Sequence, residues 1–171
     1  MLILLFSFGC GPVEQPVEKP SLKPKDSNTV AASKFVIDDF APVAVEVMPL
    51  TEITISTDGR QGIVNAYISL LDSFNCSLKW PAVFRLELYQ RDFLTAEQKG
   101  KRVQIWPDVD LTDVTNNNKY WKDFLRAYQF TLNFEPYERA DYVLLVTCFL
   151  QNQKRISAES PLKAKLTPAP K

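Results

Sequence analysis

The chain has 171 residues, 46% of them hydrophobic and 23% charged, and its 20 basic side chains are balanced by 20 acidic ones. That balance removes the electrostatic case for nucleic acid as a partner or for a basic membrane-binding face. The lack of any histidine removes Ser-His-Asp and Cys-His catalysis, His-containing zinc sites and most general-base schemes near neutral pH, and with 5 glycines there is no Gly-rich phosphate loop or dinucleotide fingerprint. In chain order the first element is an apolar run, Leu2-Ile3-Leu4-Leu5-Phe6-Ser7-Phe8, that ends at Gly9-Cys10 and is followed at once by Gly11-Pro12. A membrane-spanning helix needs about 20 apolar residues, and Gly9, Gly11 and Pro12 stop this run far short of that. It reads as a signal peptide over residues 1–9.

A small residue placed just before a cysteine at the end of such a segment resembles the bacterial lipobox. The resemblance implies cleavage between Gly9 and Cys10, a diacylglycerol on the Cys10 sulfur, and acylation of the new amino terminus by a fatty acid such as palmitate. Residues 10–34 then form a lipidated cysteine and a disordered tether. Pro12, Pro16, Pro20 and Pro24 fall at even spacing among Glu, Lys and Ser, a composition that cannot bury enough surface to offset its ordering entropy. Pro-rich segments extend by about 3.1 Å per residue, so a domain would be held clear of the bilayer. Gly11 in place of Asp after the cysteine is similar to the enterobacterial pattern for the outer membrane. The expected location is therefore the bacterial envelope, lipid-anchored and periplasmic or surface-facing, with the outer membrane favoured.

Residues 35–159 are expected to fold as one β-sandwich domain, since about 125 residues suffice for a single core. A first strand over 44–56 should bend at Pro49, which cannot donate to a ladder. Asp58-Gly59-Arg60-Gln61-Gly62 is a turn with glycine at its positive-φ position. Period-two alternation marks strands at Ile63 to Leu71, with Val64, Ala66, Ile68 and Leu70 inward, and at Pro81 to Gln90, with Phe84, Leu86 and Leu88 inward. A strand follows at Arg102 to Trp106. Asn116-Asn117-Asn118 should cap a short helix over 119–126, with Tyr120, Trp121, Phe124 and Leu125 on one face. Ala127 to Phe134 alternates again, and Tyr142 to Leu150 is apolar on both faces, as a central strand is. A last strand is expected at Arg155 to Ala158, and residues 160–171 read as a disordered tail. The sum is an all-β, antiparallel sandwich of about 7–8 strands with one short helix. In outline, over Ala44 to Ala158, it resembles uncharacterised β-sandwich lipoproteins of bacterial envelopes, some of them C2-like.

Ser160-Pro161-Leu162-Lys163 spells a Ser-x-x-Lys pair, but the proline prevents the helix such a pair needs. With Cys10 lipidated, Cys76 and Cys148 remain, and in an oxidising compartment they are either a disulfide or two small buried thiols. Strand parity puts loops 72–80 and 107–118 at one end of the sandwich, where Asp72, Asp108, Asp110 and Asp113 would converge. Calcium takes about six to eight oxygen ligands, and resemblance to C2-like sandwiches implies a calcium-dependent binding module. The alternative is that these are solvated turn residues. Trp80, Trp106, Tyr120 and Trp121 offer a recognition surface for a glycan, a peptide or an envelope protein, or else they close the ends of the core. The expected function is a non-enzymatic structural or interaction module tethered to the bilayer through Cys10, with no cofactor unless calcium binds.

Overall fold

The computed structural model describes residues 40–94, 98–136 and 141–167. The chain divides into two units, Met1–Phe35 and Val36–Lys171, and every described residue belongs to the second. Residues 1–9, Cys10, the tether over 10–34 and the last residues, 168–171, lie outside the described residues.

Two β-sheets and one short helix make up the described chain. The larger sheet holds β1 (Ala44–Val47), β2 (Glu52–Ser56), β3 (Gly62–Leu71), β4 (Ser77–Leu78), β8 (Trp121–Lys122), β9 (Ala127–Phe134) and β12 (Ala164–Thr167), in the order β12-β2-β3-β9-β8 with β1 and β4 also pairing β3. The smaller holds β5 (Ala82–Arg91), β6 (Lys99–Ile105), β7 (Val109–Asp110), β10 (Tyr142–Leu150) and β11 (Arg155–Leu162), in the order β11-β10-β5-β6 with β7 also pairing β5. Helix α1 spans Val114–Tyr120. All pairings are antiparallel except β12 on β2, which is parallel. The fold is thus an all-β sandwich with one helix, and its described strands number twelve, more than the 7–8 expected.

The period-two segments lie where their alternation places them. Along β3, Val64, Ala66, Ile68 and Leu70 are fully buried, and along β5 so are Phe84, Leu86 and Leu88. Strand β10 is central, flanked by β5 and β11, and its residues are buried or half-buried on both faces. The two sheets meet through aromatic rings: Phe84 of β5 lies 5.1 Å from Tyr128 and 5.4 Å from Phe130 of β9, centroid to centroid. Such tilted contacts match the positive edge of one ring to the negative face of another. Trp106, following β6, adds a polar link, its indole N–H donating to the Asn133 carbonyl of β9 at 2.7 Å.

Local chemistry explains where the elements break. Pro49 splits the expected 44–56 strand into β1 and β2, and Thr51 serves the backbone there, its hydroxyl accepting from the Tyr67 N–H at 3.0 Å. Gly59 takes φ +69° in the β2–β3 turn. Gly62 is required for a different reason. A Cβ there would lie 2.3 Å from the Phe134 ring, which is buried and stacked edge-on against Tyr142. Gly62→Ala should therefore cost about 1–3 kcal/mol through overpacking, read as a lower denaturation midpoint at unchanged slope; an unchanged midpoint would show that the ring yields freely.

Two expectations are corrected. The helix lies earlier than residues 119–126: Asp113 is its N-cap, its carboxylate accepting from the Asn116 N–H at 2.9 Å. The cap is thus the aspartate and not the Asn116-Asn117-Asn118 run. The helix stops at Tyr120 because Trp121 and Lys122 leave it for a hairpin with Tyr128 and Ala127, where the Trp121 ring meets Tyr128 edge-on at 5.1 Å. Phe124, expected inward on the helix, is instead exposed on the hairpin turn. The second correction concerns residues 160–171. Strand β11 continues through Leu162, and after Lys163 the chain crosses to the other sheet as β12. Ile156 and Leu162 are buried, with Ala158 and Ser160 half-buried between them, so the alternation is real but carried by small residues. Pro161 is tolerated because β11 is an edge strand.

Candidate functional site

Loops 72–80 and 107–118 do meet at one end of the sandwich, as strand parity requires. The Lys79 ammonium donates to the Asn118 side-chain carbonyl. Beneath it, the Tyr128 hydroxyl accepts from the Trp80 N–H at 2.9 Å and lies 2.9 Å from the Trp80 carbonyl and 3.1 Å from Asn117 Oδ1. Asn117 Nδ2 in turn donates to the carbonyls of Trp80 at 3.0 Å and Leu111 at 2.7 Å. One buried amide and one phenol thus tie α1, β9 and the strand-initiating loop together. Burial pushes the Tyr128 phenol above its ordinary range. Over this network a small cavity of about 290 Å³ opens between Trp80, Pro81, Val114 and Gln151.

The four aromatic candidates do not form one surface. Trp80 and Trp121 are half-buried around Tyr128, and Tyr120 packs on Phe130 at 5.3 Å. Trp106 is buried elsewhere, beside Leu86 and Asn133. These rings close the core more than they present a face, and Trp80 lines a cavity.

Nor do the four aspartates converge. Asp72 accepts from the N–H groups of Phe74 and Cys76, each at 2.8 Å. Asp110 accepts from the Thr112 N–H and hydroxyl at 2.9 and 2.6 Å, Asp113 caps α1, and Asp108 forms a two-pronged pair with Arg85 at 2.9 and 2.8 Å. Among the described residues no group of three or more carboxylates or thiols lies close enough to hold a metal ion. Asp72, Asp110 and Asp113 each hold their own loop, the local bonding that makes Asp a turn residue, while Asp108 reaches across to Arg85 of β5.

The hydrogen bonds from Arg85 hold the Asp108 carboxyl below its usual range, and those from Thr112 do the same for Asp110. A depressed carboxylate contributes stability above its unfolded value, and that contribution is lost as pH falls through the folded one. Both partners of the Arg85–Asp108 pair are well exposed, so the contribution is small. Arg85→Gln should return the Asp108 titration, followed by NMR, toward the ordinary aspartate range, while an unmoved titration would remove Arg85 as the cause.

Cys76 and Cys148 are free, the first exposed and the second buried. The disulfide is not formed, because the side chain of Cys148 is packed in the core opposite Phe84, whereas Cys76 sits on a solvent-facing turn of the other sheet. The buried-thiol alternative holds for Cys148 alone. Burial pushes its thiol up to about 12. In native protein a thiol reagent should titrate Cys76 at once and Cys148 only on unfolding; rapid reaction of both would contradict this packing.

A larger cavity lies at the opposite end and was not legible as a site in the sequence. It is an open polar cleft of about 810 Å³ between the β2–β3 turn, β6 and the end of β9. Arg60 and Gln61 come from the turn, Arg102 and Gln104 from β6, and Asn133 and Glu135 from β9 and the residues after it. Arg102 is paired with Glu87 at 3.1 Å, while Glu135 is the one carboxylate among the described lining residues. Guanidinium and amide groups of this kind suit a hydroxyl-rich or anionic ligand. The signal available in the sequence was the charge-rich strand Lys99-Gly100-Lys101-Arg102, whose polar character also marks an edge strand.

No family model matches the chain, and no curated protein matches it. Among solved structures, a Parabacteroides merdae β-glucuronidase with glycerol in its active site is similar at 11% identity and a TM-score of 0.41, over 72% of this chain and 13% of that one. The described chain therefore spans a small part of that enzyme's length.

Proposed function

We propose that the protein is a lipid-anchored module of the bacterial envelope that binds a partner without transforming it, taking a glycan or an envelope protein at the polar cleft. The observation that carries the anchored part is the apolar run ending at Gly9-Cys10 and passing directly into the proline-spaced segment. A segment of that kind is read as a signal, and stable anchoring by acyl chains needs at least two of them, which acylation of both the sulfur and the amino terminus of Cys10 supplies. The binding part is supported by the cleft, where Arg60, Gln61, Gln104 and Asn133 present donors and acceptors from three separate elements. The absence of histidine from the sequence favours binding over catalysis.

Expression of the full chain in a bacterial host fed labelled palmitate tests the anchor. Wild type should carry label and fractionate with membranes, and Cys10→Ala should lose both; an unlabelled wild-type chain would sink this reading. A photo-crosslinking residue in place of Gln104 in the same host tests the cleft, with a discrete adduct expected and none from a position on the opposite end.

A further inference from the structure

Planar amides converge on the polar cleft from four elements: Gln61 from the β2–β3 turn, Gln90 from β5, Gln104 from β6 and Asn133 from β9. Elsewhere such side chains are used within the fold, Asn65 accepting from Thr131, Gln129 donating to Tyr67 and Gln98 accepting from Arg91. In the cleft Gln104 donates to the neighbouring Ile105 carbonyl. The amides of Gln61, Gln90 and Asn133 bond to no other group among the described residues. The charges around them are matched. Arg60, Lys101 and Arg102 line the cleft together with Glu135, Arg102 is paired with Glu87, and Asp58 accepts from the Arg60 N–H at 3.1 Å, so three cations stand with three carboxylates. The described rim adds no positive excess, since Arg91 neighbours Asp92 and Asp141 and Lys99 pairs with Glu159. Strand β6, the edge strand along the cleft, breaks register with β5 twice, between Leu88 and Tyr89 and between Tyr89 and Arg91. Bulges of this kind re-aim side chains and deny an incoming strand a regular ladder.

We propose that the cleft binds an uncharged glycan, with sugar hydroxyls bridging the amides of Gln61, Gln90 and Asn133. This deepens the proposed binding role and rests on the cleft being the site; of the two occupants given there, it selects the glycan. A hydroxyl both donates and accepts, and an amide presents a donor and an acceptor side by side in one plane, so one amide serves two adjacent hydroxyls. A charged ligand meets no excess of opposite charge to reward it, because the cations of the cleft already stand with carboxylates. A polypeptide adding as a strand meets a bulged, charged edge. Ile63, 38% exposed, and half-buried Val103 line the same space, an apolar strip for the C–H face of a sugar ring. The Phe134 ring is buried and unavailable for stacking, so hydrogen bonds hold the ligand. A volume of about 810 Å³ falls within the range of about 300–1,000 Å³ that small-ligand sites span.

The full chain, purified in a neutral detergent, is passed over sensors coated with dextran, galactomannan or polygalacturonate. Binding to a neutral polysaccharide is expected, with an affinity that stays the same as salt is raised, since no net charge is involved. Gln61→Ala with Asn133→Ala should weaken it about tenfold, the equivalent of two hydrogen bonds of ordinary net worth. Asn65→Ala with Gln129→Ala, which removes two amides outside the cleft, should leave it unchanged. Binding to polygalacturonate alone, binding that fades as salt rises, an equal loss in both double variants, or no binding to any of the three would overturn the uncharged glycan. The photo-crosslinker at Gln104 separates that failure from failure of the site. If it carries a polypeptide, the glycan falls and the cleft stands, whereas if it yields no adduct, the cleft falls as well.

Discussion

Phe84→Ala should lower the unfolding free energy by about 3–5 kcal/mol, the usual range for removing a buried phenyl ring. Phe84 is fully buried and its ring touches Tyr128 and Phe130 of the facing sheet, so its loss leaves a cavity between the layers that neither stiff β-strand can close. Domains of this size have only about 5–15 kcal/mol to lose. The variant should therefore sit near its unfolding midpoint at moderate urea, with the denaturant slope unchanged. Phe124→Ala is the matched control, an exposed phenylalanine whose removal should stay within about 0.5 kcal/mol. Equal effects from the two would mean that the sheets do not pack on Phe84.

The second large effect should come from Asn117. Its amide holds the carbonyls of Trp80 and Leu111, and its Oδ1 faces the Tyr128 hydroxyl. Asn117→Ala leaves buried polar groups without partners, at a cost of about 2–3 kcal/mol. Tyr128→Phe removes the acceptor of the Trp80 N–H and should cost about 1–3 kcal/mol by the same argument. Because the two side chains share one network, the double variant should lose less than the sum of the singles. Strict additivity in a denaturation cycle would show that the amide and the phenol act separately.

Much of the fold was legible because a half-buried strand writes its period into the sequence. The residues expected inward in β3 and β5 are the ones buried, and Ala127 to Phe134 is β9 from first residue to last. The pieces that were not legible lack such a period. Strands β4, β7 and β8 have two residues each, too few to alternate, and β11 alternates through Ala158 and Ser160, which do not register as apolar. The helix was misplaced because Tyr120, Trp121, Phe124 and Leu125 fit a helical face equally well when Tyr120 ends a helix and Trp121 starts a strand.

For the candidate sites, residue type was informative and convergence was not. Parity correctly brought loops 72–80 and 107–118 together, yet Asp72, Asp110 and Asp113 turned to N–H or hydroxyl groups of their own loops and Asp108 to the Arg85 guanidinium. A local bond closes with little loss of chain entropy, whereas convergence on an ion must hold several loops at once. Cys76 and Cys148 lie near the same end but on opposite sides of a packing boundary that no count of cysteines reveals. By itself, then, the sequence determined the strands, the turn at Gly59, the absence of histidine chemistry and the segment around Cys10, because these depend on residues close together in the chain. The partner of each carboxylate, the burial of Cys148, the crossing of β11 to β12 and the cleft were decided only by tertiary structure, because each depends on which distant strands are placed side by side.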